Sequence, residues 1–378
     1  MKFEIIRDQL LDALNDVMKA ISQKVAIPIL TGIKIDVDKS GMTMTGSDSD
    51  ITIRTFIPAE KDGEQIIRVI EKGSIVLQAK VFSEIVRKLP TNDVTISTES
   101  SMQTLIRSGK SEFKLIGSDP EDYPLLPDIK DDNSFSLPSD LMKSIIRETV
   151  FAVSQQETRP ILTGVHWEAK DGKLVCVATD SHRLARRLTT PEEMPSTSFS
   201  FVIPGKSLQE LNKVLPDNTE AVDIVITNQQ VLFKTRNVLF YSRLLEGNYP
   251  DTSRLIPDEY KTSVTVNGRS LLQAIDRASL LAREERNNIV RFSAAEGMVI
   301  DISSNSPEVG KVEETVEAIG ITGDDLKISF SAKYMMDALR AIDGQDVLIQ
   351  FTGAMRPFIL KSVNDDTILQ LILPVRTY

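Results

Sequence analysis

Three adjacent residues, Asp180, Ser181 and His182, carry the side chains of a serine-hydrolase triad. In such a triad the carboxylate orients the imidazole, and the imidazole takes the proton of the attacking hydroxyl. Consecutive residues on a strand or in a tight turn point in different directions, so these three side chains cannot line up in that order. The residues therefore predict no hydrolase site.

Other chemistry-bearing residues lack the spacing that their chemistry needs. The segment Gly205-Lys206-Ser207 resembles the end of a phosphate-binding loop, but Ser200 stands where that motif requires glycine. Two histidines and one cysteine are too few for a zinc site, and the acidic residues do not follow calcium-loop spacing. We predict no catalytic residue, metal or cofactor. Because carboxylates are numerous, an enzyme with its site between domains stays open as the alternative.

A repeated pattern of basic residues indicates a different function. On each of three predicted helices, two basic residues lie seven positions apart, which is two helical turns and places both on one face. An acidic residue between each pair leaves a solvated surface as the alternative. Three equivalent helices in an acidic chain favour a shared cationic surface for a polyanion. The six basic residues are Lys80, Arg87, Lys206, Lys213, Lys333 and Arg340.

The composition limits what that polyanion contact can be. The net charge is -10, and aromatic residues make up 6% of the chain. There is no zinc-finger spacing, arginine-rich arm or base-stacking motif. We therefore expect contact with the backbone of a duplex, independent of its sequence.

The remaining totals are those of an ordinary globular protein, with 41% hydrophobic and 26% charged residues. The longest apolar runs are too short to span a bilayer, and the N-terminus lacks the pattern of a secretion signal. A single cysteine excludes an intrachain disulfide and fits a reducing compartment. We predict a cytoplasmic protein with no membrane partner.

The basic helices belong to a pattern of elements that occurs three times. Each third of the chain begins with an amphipathic helix, carries a second helix near its middle, and has short alternating strands around them. The pattern predicts an α+β fold in which two helices of each domain pack on antiparallel sheets. The predicted helices span residues 8–22, 80–89, 139–154, 206–215, 269–283 and 333–342.

Sequence identity within the chain shows the same threefold repeat. Pro28-Ile29-Leu30-Thr31-Gly32 returns as Pro160-Ile161-Leu162-Thr163-Gly164, and Tyr123-Pro124 returns as Tyr249-Pro250. A third copy is fainter, and a repeat of about 126 residues is long enough to be a whole domain. We predict three similar domains, copies one to three, at residues 1–126, 127–253 and 254–378.

The size of such a domain suggests how copies could surround a duplex. A domain of this length is roughly 36 Å across, and a ring of four leaves a hole of only about 15 Å. A ring of six leaves about 36 Å, which admits a duplex with side chains and water. Three domains per chain then require two chains related by twofold symmetry.

Segments along the whole chain also carry a family pattern, at residues 28–32, 45–50, 107–109, 159–164, 178–184, 202–206, 244–251, 305–308 and 373–376. With these segments the chain closely resembles the DNA sliding-clamp family, the β subunits of bacterial DNA polymerase III, in its Gram-positive form. The resemblance implies the DNA clamp fold, in which three clamp domains form half of a ring around double-stranded DNA.

That resemblance also implies partners. A clamp of this family is a head-to-tail homodimer, which a clamp-loader ATPase complex opens and places on DNA. The replicative DNA polymerase and repair proteins dock short linear peptides into a hydrophobic groove between the second and third domains. The groove would consist of Leu162, Thr179, His182, Arg183, Leu184, Pro250, Arg254, Leu255, Tyr334, Met355, Pro357, Leu373, Pro374, Val375 and Arg376.

Further residues gain expected roles in the same way. The dimer contact would use Phe113 and Leu115 of the first domain against Leu280 and Leu281 of the third, and Lys24, Gln156 and Arg159 match positions near DNA in the family. Some clamps have glycine where this chain has Ser181. From residue types alone, residues 371–378 predict a final edge strand containing proline. The resemblance instead makes this segment one wall of the groove.

Overall fold

The helices and strands follow the amphipathic patterns of the sequence. The structure, a computed structural model, describes residues 1–99, 101–125, 129, 134–191, 198–282, 288–295 and 297–376. In this part of the chain no helix is long and apolar enough to cross a membrane.

Two α-helices occur in each copy, and each buries its apolar face. In the second helix of copy one, Phe82 and Val86 are buried while Lys80 and Arg87 are exposed. The helices that the described residues form are α1 (Arg7–Val17), α2 (Ala79–Arg87), α3 (Ser139–Thr149), α4 (Gly205–Val214), α5 (Gly268–Ala282) and α6 (Ala332–Ala341). The predicted helices are therefore present, with boundaries displaced by a few residues.

The first helices of copies one and two end earlier than predicted. Helix α1 stops at Val17 and continues as the 3-10 turn Met18–Ala20, and α3 stops at Thr149 and continues as Val150–Ala152. The predicted ends at residues 22 and 154 are wrong because the apolar spacing persists after the backbone tightens into a 3-10 turn. The predicted end at residue 283 lies outside the described residues.

Short strands supply the rest of each copy. In copy one they are β1 (Lys2–Ile6), β2 (Gly32–Asp38), β3 (Gly41–Ser47), β4 (Ile51–Pro58), β5 (Glu60–Lys61), β6 (Glu64–Gln65), β7 (Ile67–Glu71), β8 (Gly73–Gln78), β9 (Asp93–Thr98), β10 (Gln103–Ser108) and β11 (Ser111–Ile116). In copy two they are β12 (Ser134–Pro138), β13 (Gly164–Lys170), β14 (Lys173–Thr179), β15 (Arg183–Thr189), β16 (Phe199–Pro204), β17 (Ala221–Ile226), β18 (Gln230–Lys234) and β19 (Val238–Arg243). In copy three they are β20 (Thr262–Asn267), β21 (Ile289–Ala294), β22 (Val299–Ser306), β23 (Gly310–Gly323), β24 (Leu326–Ser331), β25 (Asp346–Phe351), β26 (Phe358–Ser362) and β27 (Ile368–Ile372).

One compact unit, unit one, contains copy one and part of copy two, as Met1–Asp140 and Gln209–Leu244. Its larger sheets are antiparallel, with the orders β11-β10-β9-β1-β7 and β12-β17-β18-β19-β4-β3-β2-β8. In the second sheet, β4 of copy one pairs with β19 of copy two, and Ile53 lies opposite Phe240. We call this strand pair the first junction.

The other compact unit, unit two, contains Leu141–Leu208 and Leu245–Tyr378. Its antiparallel sheet has the order β16-β13-β14-β15-β27-β26-β25-β20-β23-β22-β21-β24. Here β15 of copy two pairs with β27 of copy three, and Leu184 lies opposite Leu371. We call this strand pair the second junction. A core of stacked and tilted rings lies under the copy-three part of the sheet, formed by Phe292, Phe330, Phe351 and Phe358.

The sequence copies and the compact units divide the chain differently, because the eight-stranded and twelve-stranded sheets each join strands of two copies. The predicted boundary at residues 126 and 127 lies outside the described residues, and the boundary at 253 and 254 falls in the 3-10 turn Ser253–Leu255. The three domain boundaries therefore stay a prediction from the repeat.

The terminal segment differs from the prediction made on residue types alone. Strand β27 pairs with β15 on one side and with β26 on the other, so it is an interior strand and the edge-strand prediction is wrong. Pro374 follows the strand, where it breaks no ladder hydrogen bond.

Candidate functional site

The loop before β15 is a tight turn held by a carboxylate. The Oδ1 atom of Asp180 accepts hydrogen bonds from the backbone N–H groups of His182 at 2.9 Å and Arg183 at 3.1 Å. Ser181, between them, has a φ of 76°, in the left-handed region that favours glycine. Its counterpart Ser49 in copy one has a φ of 81°. The glycine that some clamps have at this position would suit the backbone, and the three residues that resemble a triad build a turn.

Arg183 fastens this turn to helix α6. Its guanidinium donates to the carboxylates of Asp180 at 3.0 Å and Asp337 at 2.7 Å, and to the carbonyl of Phe151 at 2.6 Å. It also lies 4.4 Å from the ring centroid of Tyr334. The Arg183 side chain is only 7% exposed. Because its donors are engaged inside the protein, Arg183 supports the predicted groove rather than offering a free cation to a ligand.

An apolar cluster, the junction cluster, lies across the second junction. Tyr249 contributes its ring, which stacks on His166 with centroids 4.9 Å apart, and its hydroxyl accepts a hydrogen bond from the Thr179 N–H at 3.1 Å. Burial raises the pKa of the Tyr249 hydroxyl. The members are Val177, Leu184, Ile359, Leu369 and Leu371, with half-buried Val175, Tyr249, Ile256, Tyr260 and Leu373 around them.

The segment after β27 borders this cluster. The N–H of Leu373 donates to the carbonyl of His182 at 2.9 Å, and the N–H of Val375 donates to the carbonyl of Ser329 at 2.8 Å. Val375 and the side chain of Met355, which is 53% exposed, line one pocket. These contacts give the terminal segment a defined position beside the apolar surface.

The predicted groove residues all lie in unit two, with three degrees of exposure. Leu162, Thr179, Arg183 and Leu184 are buried. Tyr334, Pro357, Leu373, Pro374 and Val375 are half-buried, whereas His182, Pro250, Arg254, Leu255, Met355 and Arg376 are exposed. The described contacts connect Leu184, Leu373, His182, Arg183 and Tyr334 into one region. Arg254 instead extends into solvent beside Asp251.

Sequence reasoning missed several members of the junction cluster. Tyr249, Ile256 and Tyr260 pack beside Leu373, although none was a predicted groove residue. A signal for Tyr249 was present, because Tyr-Pro occurs at the same place in copies one and two. Ile256 and Tyr260 have no such repeat signal.

The six basic helix residues are exposed, as a cationic surface requires. Three of them meet the acid of their own helix: Lys213 contacts Glu210 at 2.7 Å, and both Lys333 and Arg340 contact Asp337. Arg87 donates to the side chain of Asn15. Within the described ranges, Lys80 and Lys206 have no ion-pair partner. Intrahelical acids thus neutralise about half of the basic pattern.

The other predicted DNA-facing residues lie in exposed loops. Lys24 and Gln156 occupy equivalent loops of copies one and two, between the first helix and the 3-10 turn of the Pro-Ile-Leu-Thr motif. Arg159 is exposed immediately before the turn Pro160–Thr163.

The predicted dimer residues lie at a strand edge and a helix end. Phe113 and Leu115 are half-buried on β11, and Leu280 is 58% exposed near the end of α5 beside half-buried Leu281. Among the described strands, β11 pairs only with β10, and the first half of β23 pairs only with β22. Each unit therefore presents one unpaired strand edge near predicted contact residues.

Comparison with known proteins accounts for the whole chain. Residues 1–127, 136–251 and 253–376 match the N-terminal, central and C-terminal domains of the DNA polymerase III beta subunit. The beta sliding clamp of Bacillus subtilis strain 168 is 57% identical, and that of Staphylococcus aureus strain N315 is 51% identical, each over 100% of both chains.

Solved structures agree with this result. The crystal structure of the Bacillus subtilis DNA polymerase sliding clamp matches with a TM-score of 0.97, at 57% identity over 100% of both chains. The DNA polymerase III beta chain of Streptococcus pneumoniae matches with a TM-score of 0.95, at 43% identity over the same coverage. The chain belongs to the DNA polymerase III beta subunit family, the bacterial sliding clamps.

Proposed function

We propose that this chain is a non-catalytic processivity factor that encircles double-stranded DNA, slides along it and tethers the replicative polymerase. The single observation that carries the proposal is the full-length match, at 57% identity, to a protein named as a beta sliding clamp. We propose the domain boundaries of the repeat, at residues 1–126, 127–253 and 254–378, and a cytoplasmic location.

The ring is a head-to-tail homodimer closed by strand addition. The last strand of copy two, β19, pairs with β4, and the last strand of copy three, β27, pairs with β15. By the same repeat, β11 of copy one requires the start of β23 as its partner, and only a second chain supplies it in a head-to-tail arrangement. Main-chain pairing of two exposed edges supports this closure, with Leu280 and Leu281 covering Phe113 and Leu115.

Contact with DNA is loose and independent of sequence. Lys80 and Lys206 are exposed without ion-pair partners in the described part of the chain, and the remaining helix cations are partly neutralised. A few weak phosphate contacts hold a duplex inside the ring without stopping its motion. Lys24, Gln156 and Arg159 add loop contacts of the same kind.

Partners dock at the second junction. The predicted groove includes exposed apolar side chains, Leu255 at 50% and Met355 at 53% exposure. An apolar surface bordered by polar groups suits a short linear peptide with apolar anchors. The clamp-loader ATPase complex, the replicative polymerase and repair proteins are the proposed partners, and docking raises the polymerase's concentration at the DNA.

Enclosure of DNA has a direct test. The protein is loaded on a nicked circular duplex, and the retained fraction is measured before and after the circle is linearised. Retention on the circle and release from the linear form support a ring, whereas equal retention on both forms contradicts it. Sedimentation at micromolar concentration adds a second test, in which the ring requires twice the 42.0 kDa chain mass.

The groove is tested with peptides. Fluorescent peptides that tile the replicative polymerase are titrated with the protein, and the tightest binder is taken as the parent peptide. Binding of one peptide per chain supports the groove. Failure of all peptides contradicts it.

A further inference from the structure

Each copy contains a set of three residues that lie side by side on adjacent strands, and the three sets occupy equivalent places in the repeat. In each copy, one central residue lies opposite a partner on each neighbouring strand, and we call the three residues a cross-strand triplet. The triplets are Thr45, Lys34 and Val76 in copy one, Val177, His166 and Val202 in copy two, and Ser303, Arg291 and Ser329 in copy three.

The chain returns to the triplet in the same way each time. After the last strand of each copy, a backbone N–H of the returning chain donates a hydrogen bond to the carbonyl of the third triplet residue. The bonds are Ser118 N–H to Val76 O at 2.9 Å, Leu245 N–H to Val202 O at 2.9 Å, and Val375 N–H to Ser329 O at 2.8 Å. The three sites are therefore equivalent in backbone as well as in register.

In copies one and two the returning chain covers its triplet with a tyrosine. Tyr123 is 3% exposed and packs with Val76, and Tyr249 stacks on His166. The central polar side chain is also partnered within its own sheet. Lys34 lies 3.8 Å from the carboxylate of Asp36, and His166 shares a hydrogen bond of 2.8 Å with Ser200.

In copy three the corresponding place is a pocket of about 430 Å³, which we call the copy-three socket. Arg291 and Lys327 line it and are exposed, and neither has an ion-pair partner in the ranges that the structure describes. Lys327 lies opposite Ser293 on the neighbouring strand, so the two cations stand diagonally on one face. The described lining contains no acidic residue.

We propose that the copy-three socket binds an acidic side chain of the partner segment that docks at the second junction. The arginine guanidinium donates two parallel hydrogen bonds to a carboxylate, and the nearby ammonium adds a second positive charge. Val375 and Met355 belong both to the socket and to the predicted groove. A peptide that leaves the groove past Val375 therefore passes over the two cations. This inference rests on the proposed peptide groove and names a specificity element within it.

The test uses the full-length protein and the parent peptide, extended by Glu-Glu or by Gln-Gln at either end. We expect the glutamate extension at one end to bind about tenfold more tightly than its glutamine match, the size of a charge-assisted hydrogen-bond pair. The double variant Arg291→Gln/Lys327→Gln abolishes this difference. The control variant Lys170→Gln/Lys173→Gln, which removes the same charge from an exposed hairpin of unit two, retains it. The difference also shrinks as salt is raised.

Each other outcome overturns the inference in a recognisable way. Equal affinity of the glutamate and glutamine peptides at both ends sinks the socket while the groove stands. Failure of every tiled peptide to bind, so that no parent peptide exists, sinks the groove and the socket together. If the glutamate gain appears only after deletion of residues 377 and 378, the chain's own residues are the occupant and the assignment to a partner is wrong.

Discussion

The two junctions share a backbone design but are fastened by different chemistry. Each begins with a turn whose serine has a positive φ, and an aspartate accepts the backbone N–H groups that follow. At the first junction the next strand starts with buried Ile51. At the second it starts with Arg183, which binds two carboxylates.

This difference between Ile51 and Arg183 suits the second junction, but not the first, to partner recognition. At the first junction the corresponding side chain, Ile51, is apolar and buried, and burial raises the pKa of the neighbouring Asp48 carboxyl. At the second junction, Arg183 instead contacts Asp180, Asp337 and the Tyr334 ring. These groups lie beside Leu373 and the junction cluster. A surface with ordered polar supports and exposed apolar groups can recognise a partner.

The largest expected effect comes from replacing Arg183, because this removes the chemical difference between the two junctions. Arg183→Met removes the cation that pairs with half-buried Asp180 and one of three cations that contact Asp337, and we expect unit two to lose about 3 kcal/mol. The matched change Ile51→Val at the first junction costs about 1 kcal/mol. Urea unfolding followed by fluorescence of Trp167, the single tryptophan and a buried residue of unit two, reports the first effect.

Two measurements distinguish the loss of the Arg183 ion pairs from nonspecific destabilisation of unit two. Adding Asp180→Asn to Arg183→Met restores part of the lost stability, because the half-buried carboxylate that has lost its cation is then neutral. A loss below about 1 kcal/mol for Arg183→Met alone contradicts the claim that the ion-pair network fastens the second junction.

A second prediction concerns which junction binds peptides. Deletion of residues 375–378 removes one wall of the proposed groove and the hydrogen bond from Val375 to Ser329. We expect the parent peptide to lose at least about tenfold in affinity by fluorescence anisotropy, since a buried anchor loses its contacts. Phe56→Ala, at an exposed residue beside the first junction, leaves the affinity unchanged. A large effect of Phe56→Ala points to a second binding site.

A third prediction concerns the basic helices that we propose face DNA, and whether both units contribute to DNA retention. Lys80 and Lys206 occupy equivalent helix positions, one in each unit, and both are exposed. We expect Lys80→Gln and Lys206→Gln each to speed release from nicked circles a few-fold and to lower the salt slope by about one. Lys213→Gln has a smaller effect because Glu210 already contacts that ammonium at 2.7 Å. A larger effect at Lys213 contradicts this ranking.

The smallest expected effect lies in the turns themselves. Ser49→Gly and Ser181→Gly relieve a positive φ, and the relief exceeds the entropy cost of glycine by at most about 1 kcal/mol. We expect both proteins to unfold at a slightly higher temperature in calorimetry, by similar amounts. Destabilisation at one turn alone shows that its serine side chain has a role there.

Much of the fold was predictable because helices and strands are local. The apolar residues of each helix and the alternating residues of each strand repeat at short spacing, and these patterns predict elements directly. The ends of α1 and α3 were missed because 3-10 turns retain the same apolar spacing.

The site was less predictable because its contacts join distant parts of the chain. Arg183 and Asp337 are far apart in sequence, and no local pattern shows that they form a 2.7 Å ion pair. Ile256 and Tyr260 join the junction cluster only because β27 pairs with β15. The predicted groove residues came from family resemblance, which conveys positions without their burial or partners.

By itself, the sequence determined that the chain is a threefold repeat of α+β units with equivalent basic helices, because repeated local patterns bury equivalent faces. Only the tertiary structure decided that sheets join strands of two copies, that β27 is an interior strand and that Arg183 is buried between two carboxylates. Strand pairing and ion pairing depend on which distant groups meet, and that is decided when the whole core packs.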